Sequence, residues 1–529
     1  MKKLISILLT LALLAGLCAF ATVSTSADGE PTADTWDGTA NIKWYLDAGA
    51  DAKSYSIQTA EDLAGLAYLV NSGTADTCYD GVYYDAETGA VLGYRLSGKE
   101  GEYADATLVY TAATDSTPVV EGNSFVWRTI LLENDLILNE GNAADWATTA
   151  PANVWQPIGG GRDIDATSSG FNGMFDGQGH TISGIYFVAG TDGFGCALFG
   201  YAGKASNTSF SNLTIDNFYI EGTYSVGGLV GRSNKPIEVQ NVFVTNGILK
   251  SLDQQAAPFV AAVFGGSALI ENCGAENVDM LAYSYAGGFV ATSVGQTVDV
   301  KNSYVKNCNI TMDGGSEAGQ IVGRAAGGAI NVENVYTIIE INQPIKQEEI
   351  PSGSDRMATV GVIYGGQGSG SKAAVSASGF YYVKNLNGEN VIGEDTEGAI
   401  EVTEAQLTGD FAKATLEGFD FVTVWDVTAE GTPFINLRED PNADSGNNGG
   451  DSGNSGNSGN SGNSGNSGSN TTKPATTDPV TTPNTNAPTT EPTDGGEDKG
   501  GCGSAIGFAS VAAITMILGS ALMIKNKEN

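Results

Sequence analysis

Histidine is almost missing from this chain: His180 is the one example in 529 residues. A zinc peptidase of the His-Glu-x-x-His kind needs two histidines a helical turn apart to hold its metal, so that chemistry is excluded. A Ser/His/Asp or Cys/His catalyst would have to use His180 as its base. Its setting, Gly177-Gln178-Gly179-His180-Thr181, reads instead as a turn into a first coil. Basic charge is scarce as well, with 25 Lys and Arg against 61 Asp and Glu and a formal net charge of −36. Nucleic acid and other polyanions are poor partners for such a surface. The six cysteines are thinly spread, Cys18 and Cys502 near the ends and Cys78, Cys196, Cys273 and Cys308 far apart between them. That is no disulfide framework. No EF-hand loop supports calcium, and no Leu-Pro-x-Thr-Gly signal supports sortase attachment. The sequence thus predicts no metal, no cofactor and no catalytic residue.

What is present begins at the termini. Lys2 and Lys3, followed by the apolar run Leu4 to Leu17, have the form of a secretory signal peptide, with cleavage after Ala21 or Ala27. Ala505 to Ile524 is a stretch of twenty uncharged residues, about enough at ~1.5 Å per residue to cross a ~30 Å hydrocarbon core. Lys525 and Lys527 follow it and place the last residues in the cytoplasm and the rest outside. Between 439 and 500 the chain changes to Asn-Ser-Gly repeats and a Thr/Pro segment, a composition that buries no core. It reads as a stalk with an r.m.s. span of roughly 40–50 Å.

The remaining 28–438 contains repeats. Apolar steps recur as Leu198-Phe199-Gly200, Leu229-Val230-Gly231, Phe259-Val260-Ala261, Phe289-Val290-Ala291 and Ile321-Val322-Gly323, at intervals of 31, 30, 30 and 32 residues. Asn212, Asn241, Asn272, Asn302 and Asn334 recur at 29, 31, 30 and 32. A third series, Asn217, Asn246, Asn277 and Asn307, lies five residues after the second. One period shared by three series predicts short strands coiled so that like positions stack at ~4.7–4.9 Å. The asparagines would then form a structural ladder at the turns, where Asn tolerates the left-handed conformation and its amide can bond to the coils above and below. The apolar steps would point inward. Helical periodicity is lacking from these segments, and they are rich in Gly, Asn, Val and Thr.

Solenoids need their ends covered. Thr59-Ala60-Glu61-Asp62 predicts a helix start, with Leu63, Leu66, Ala67 and Val70 on one stripe and Gly73 as a stop. Thr403 to Leu407, Phe419 to Trp425 and Pro433 to Leu437 form the corresponding C-terminal block. The expected fold is all-β: a right-handed parallel β-helix solenoid with small α-containing caps, plus a C-terminal transmembrane helix. The expected organisation is a signal peptide over 1–27, a cap and first strands over 28–175, repeats over 176–345, C-terminal coils and cap over 346–438, linker over 439–500, and anchor with tail over 501–529.

Gly228-Leu229-Val230-Gly231 resembles the GLUG motif of bacterial surface proteins, a short Gly-Leu-any-Gly repeat. Trp155-Gln156-Pro157-Ile158-Gly159 and Phe171 through Ile185 are similar to the segment leading into such repeats, as are Tyr55 to Leu63 and Trp425-Asp426 to its outer parts. Ala261 and Ala291 depart from the motif's final Gly, and Gln320-Ile321 from its Gly-Leu. The resemblance implies a parallel β-helix on the outside of a bacterial cell, in proteins that are sometimes adhesins and sometimes immunoglobulin A peptidases. It supplies no activity by itself.

Three functions remain in contention, the third of them a purely structural surface-layer role. The first is a non-catalytic protein on the extracellular face of the bacterial cell membrane, anchored by its C-terminal helix, that adheres to a glycan or to a host or surface protein. Tyr186, Tyr219, Phe243, Tyr283, Tyr285 and Tyr304 are candidate platforms for sugar rings. The second is a polysaccharide lyase or hydrolase on the same scaffold. A lyase wants clustered basic side chains, but only seven basic residues face fourteen acidic ones between 176 and 345. Arg232 and Arg324 occupy equivalent places three coils, or roughly 14 Å, apart. A hydrolase needs two carboxylates about 5–10 Å apart, for which fourteen candidates exist.

Overall fold

The computed structural model describes residues 34–72, 79–96, 117–160, 170–189, 194–203, 208–314, 317–342, 359–367, 370–387 and 398–438. The expected signal peptide, linker and anchor helix, together with Gly73 and Cys78, lie outside the described residues. No helix among the described residues is long and apolar enough to cross a membrane.

Asparagine sets the shape of each coil. Ile237–Ser251 runs as one strand, but Asn241 and Asn246 both have φ of 54°. In the left-handed region a side chain with a Cβ costs roughly 1–2 kcal/mol, least for Asn. Each such residue bends the strand and resets its phase: Ile237 and Val239 point inward, then Val242 and Val244, then Gly247, Leu249 and Ser251. The long face of a coil is therefore three straight pieces joined at two corners. All nine asparagines of the two series have positive φ, between 44° and 56°. Where the columns continue without Asn, Gly184 (φ 82°) and Gly379 (φ 65°) take the corner, paired opposite Asn217 and Asn334 by the flanking register.

The apolar steps form a six-stranded parallel sheet with Phe199, Val230, Val260, Val290 and Val322 side by side, extended by Tyr364. Leu198, Leu229, Phe259, Phe289 and Ile321, one residue earlier, are fully buried. A second parallel sheet of five short strands, Ser225–Gly227 through Thr359–Gly361, closes the coil. The long faces make the third sheet, of 16 strands. Together these are an all-β parallel solenoid of about five turns with few helices. Its long-face sheet reaches past the repeats in both directions, from Ser54–Ile57, paired with Thr129–Leu132, to Ala399–Val402, paired with Phe380 to Val383.

The ladder is bonded in two stretches rather than throughout. The Asn241 Nδ2 donates to Asn212 Oδ1 at 2.8 Å, and Asn334 Nδ2 to Asn302 Oδ1 at 3.2 Å. Asn272 Oδ1 between them is buried without a hydrogen bond. There the link passes to the next residue: Ser303 Oγ accepts from the Cys273 N–H at 3.0 Å while donating to Lys301 O at 2.6 Å.

The N-terminal helix forms as expected over Ala60–Asn71, with Thr59 and Asp62 in a reciprocal capping box. Leu63, Leu66, Ala67 and Val70 join the same buried cluster as the coil interior. Buried Asn71 fastens this cap, accepting from Gly159 N at 2.6 Å and donating to Pro157 O at 3.1 Å. The C-terminal block behaves differently. A 3-10 turn Glu404–Leu407, the helix Gly409–Thr415, and Trp425 with Ile435 pack against Tyr304, Tyr336 and Tyr381, which point outward from the long face. It makes a core of its own on the solenoid's flank, separate from the interior cluster. The reason is that these three tyrosines stack as an apolar column on neighbouring coils and leave a wide surface to cover.

Candidate functional site

The outward side chains of the long face are arranged by the one-coil step. Asp216 Oδ1 accepts from Thr245 Oγ1 and Asn246 Nδ2, both at 2.7 Å. Gln240 Nε2 donates to Glu271 at 3.2 Å, Asn309 to Asp279 at 2.6 Å and Asn331 to Asp299 at 2.7 Å. Lys250 meets Glu221 at 3.0 Å, Lys306 meets Glu276 at 3.1 Å and Lys301 lies 3.8 Å from Glu333. In the strand registers no carboxylate sits beside another on the adjoining coil; the columns read Asp216-Thr245-Glu276-Lys306, Glu271-Lys301-Glu333 and Asp279-Asn309-Glu340. Column mates of like charge are two coils apart, about 9–10 Å, with a donor between them in these three columns and Leu269 between Glu238 and Asp299 in a fourth. The acidic surface is thereby used to hold coil to coil, each exposed contact contributing ~0–1 kcal/mol.

A groove of about 560 Å³ runs beside this face. Asp216, Asn217, Asn246, Asn277 and Asp279, from three coils, form one wall and Gly141 to Ala144 the other. Asn217 ties the walls together, its Oδ1 accepting from Ala143 N at 2.9 Å and its Nδ2 donating to Gly141 O at 3.0 Å. The second asparagine series thus lines a concave polar surface as well as turning corners. Its sequence signal was the period, which carries no information about the segment opposite.

The chain has no match among family models and none among curated proteins. Among solved structures it is similar to the crystal structure of a putative immunoglobulin A1 protease from Bacteroides ovatus, at a TM-score of 0.40 and 17% identity over 59% of this chain and 86% of that one. The GLUG likeness accordingly rests on the residues quoted for it.

The aromatic candidates fare unequally. Tyr186 and Tyr219 stack at 5.9 Å and are buried under Trp146. Tyr304 is buried beneath Trp425, and Phe243 packs on the edge of the same cluster. Burial raises the Tyr219 and Tyr304 hydroxyl pKa values, with Glu221 adding to the first. Tyr283 and Tyr285 stay half-buried. The Arg324 guanidinium lies 5.0 Å from the Tyr285 ring and donates to its hydroxyl at 3.1 Å. Arg232 sits three coils away in the same column, as its sequence position predicts, 4.1 Å from the Phe264 ring.

His180 Nδ1 lies 3.2 Å from Asp135 Oδ1, which also accepts from Thr181 N, a contact that fixes the turn. Cys196, Cys273 and Cys308 are free and buried. Burial pushes the Cys273 and Cys308 thiols up to about 12 and raises Cys196 as well, so none is a thiolate nucleophile at neutral pH. Among the described residues no group of three His, Cys, Asp or Glu side chains could hold a metal ion.

Proposed function

We propose that this chain is a surface-displayed, non-catalytic binding protein whose right-handed solenoid, of the GLUG type, holds a glycan or a surface protein. The observation that carries this reading is the spacing of the long-face carboxylates: in three of the four columns that hold two, they are two coils apart with a bonded donor between them, and in the fourth, Glu238-Leu269-Asp299, Asp299 is itself bonded by Asn331. A hydrolase instead requires an open gap between its two carboxyls for substrate and water. The polar groove between residues 141–144 and the second asparagine series offers amides and hydroxyl-binding carboxylates, the chemistry that suits sugar hydroxyls. Display by a signal peptide over 1–27, a stalk over 439–500 and a single span over 505–524 with the C-terminus in the cytoplasm completes the proposal. The test is binding of the purified full chain to a glycan array and to mucin. Saturable binding is the expected result; an array and mucin both left bare would remove the glycan from the proposal and leave a protein ligand.

A further inference from the structure

Two bulky residues two positions from one another adopt the left-handed conformation, Phe125 at φ 59° and Trp127 at φ 58°. Aromatic residues rarely accept this backbone, and its cost has to be offset elsewhere. For Phe125 the offset is plain, since its ring is fully buried and contacts Tyr45, Tyr55 and Phe171. Trp127 gains no such burial: it is 66% exposed. The loop that presents it is fixed on both sides. Asn123 N donates to Leu69 O at 2.9 Å, Asn123 Oδ1 accepts from Phe125 N at 2.8 Å, and Met174 N donates to Arg128 O at 2.8 Å. An exposed indole on a strained backbone that is held on both sides is a preorganised flat platform.

Beside it lies a recess of about 200 Å³ lined by Trp127, Met174, Ser209 and Glu238 among others. Met174, Ser209 and Glu238 are stacked in register on three successive coils. They present an apolar surface, a hydroxyl and a carboxylate in that order. Glu238 breaks the rule of the long face. The other carboxylates there are bonded to neighbours, whereas the Glu238 side chain is exposed, makes no hydrogen bond or ion pair among the described residues, and has Leu269 rather than a donor on the next coil.

We infer that Trp127 and Glu238 form a subsite for one neutral hexopyranose ring of a polysaccharide, a deepening that rests on the glycan reading above. The C–H face of the ring stacks on the indole, and two adjacent hydroxyls donate to the Glu238 carboxylate. The recess is smaller than the ~300 Å³ at which drug-sized sites begin, which suits a single ring. Uronates, sialic acids and sulfated sugars are rejected, because Glu238 would face their anionic group in a chain of net charge −36.

The experiment titrates the full chain with a panel of neutral and acidic oligosaccharides, following tryptophan fluorescence and binding heat, and repeats it with Trp127→Gly and Glu238→Gln. Wild type is expected to bind neutral members. Each variant should weaken binding about tenfold or more, a hot-spot effect. Glycine relieves the left-handed backbone, so Trp127→Gly should lose binding with an unchanged or higher Tm, a combination that a merely structural tryptophan does not give. Neutral-sugar binding that both variants retain would overturn this subsite and leave the glycan reading standing. A preference for acidic sugars would overturn it equally. No binding of any glycan by wild type would overturn the subsite and the glycan reading together.

Discussion

The repeated coils and the segments that lean on them are held by different means. Inside the coils the contacts are mainly aliphatic and repeat with the period, as in the Val230, Val260, Val290, Val322 column, and even the rings there stack on like rings one coil away, as Phe259 does on Phe289 at 5.6 Å. At the seams they are aromatic and occur once: Trp146 over Tyr186 and Tyr219 on one flank, Trp425 and Phe419 over Tyr304, Tyr336 and Tyr381 on the other. A coil finds its partner one period away in the same chain, so short identical side chains suffice. A flank segment has a single opportunity to bind, and large rings with hydroxyls supply both area and a directional bond, as Tyr336 does to Pro433 O and Tyr381 in accepting from Glu417 N at 2.8 Å.

That difference is broken most severely by Trp425→Ala. Loss of this fully buried ring should cost ~3–5 kcal/mol, concentrated in residues 403–438. Limited proteolysis should then cut that block while the coils keep their circular dichroism; coils that unfold together with it would show one cooperative unit. Gly247→Val attacks the other side of the comparison, since a Cβ there would meet the Phe218 ring at 1.9 Å. Overpacking of this kind costs ~3 kcal/mol or more when backbone must shift, read as a lower denaturation midpoint for the coils. Asn241→Ala should cost ~2 kcal/mol, combining left-handed strain with the lost bond to Asn212. Asn241→Gly should recover much of that loss; if Ala and Gly cost the same, backbone conformation is not what the column supplies.

Alkali should sharpen the contrast. Burial raises the pKa of Tyr304 and Tyr336 above the ordinary 10.0, so the stability these groups contribute is complete below that value and is lost as pH rises through their folded pKa. The C-terminal flank is therefore expected to loosen at high pH, with tyrosinate absorbance rising in step with its proteolysis. Smallest of all, Lys306→Ala should change stability by ~1 kcal/mol or less, because its partner Glu276 stays partly solvated.

The coils were legible because three independent residue series carried one period, and their registers now coincide residue for residue. The sixth apolar step, Ile363-Tyr364-Gly365, escaped because it follows Ile321 by 42 residues rather than about thirty. The early strand Ser54–Ile57 escaped because its partner, Thr129–Leu132, lies far along the chain and shares no repeat with it. Coverage of Tyr186, Tyr219 and Tyr304 by single tryptophans left no pattern to read, since a seam made once has no period. Trp127 stood in an unremarked loop: neither the sequence Phe125-Val126-Trp127 nor its spacing signals a positive φ.

The most direct test of a binding solenoid without hydrolytic chemistry follows reducing ends over time while the full chain is held with the polysaccharides it binds. Saturable binding with no new reducing ends is the predicted result. Steady release of reducing ends would contradict the account and turn attention to a carboxylate pair drawn from different columns of the long face.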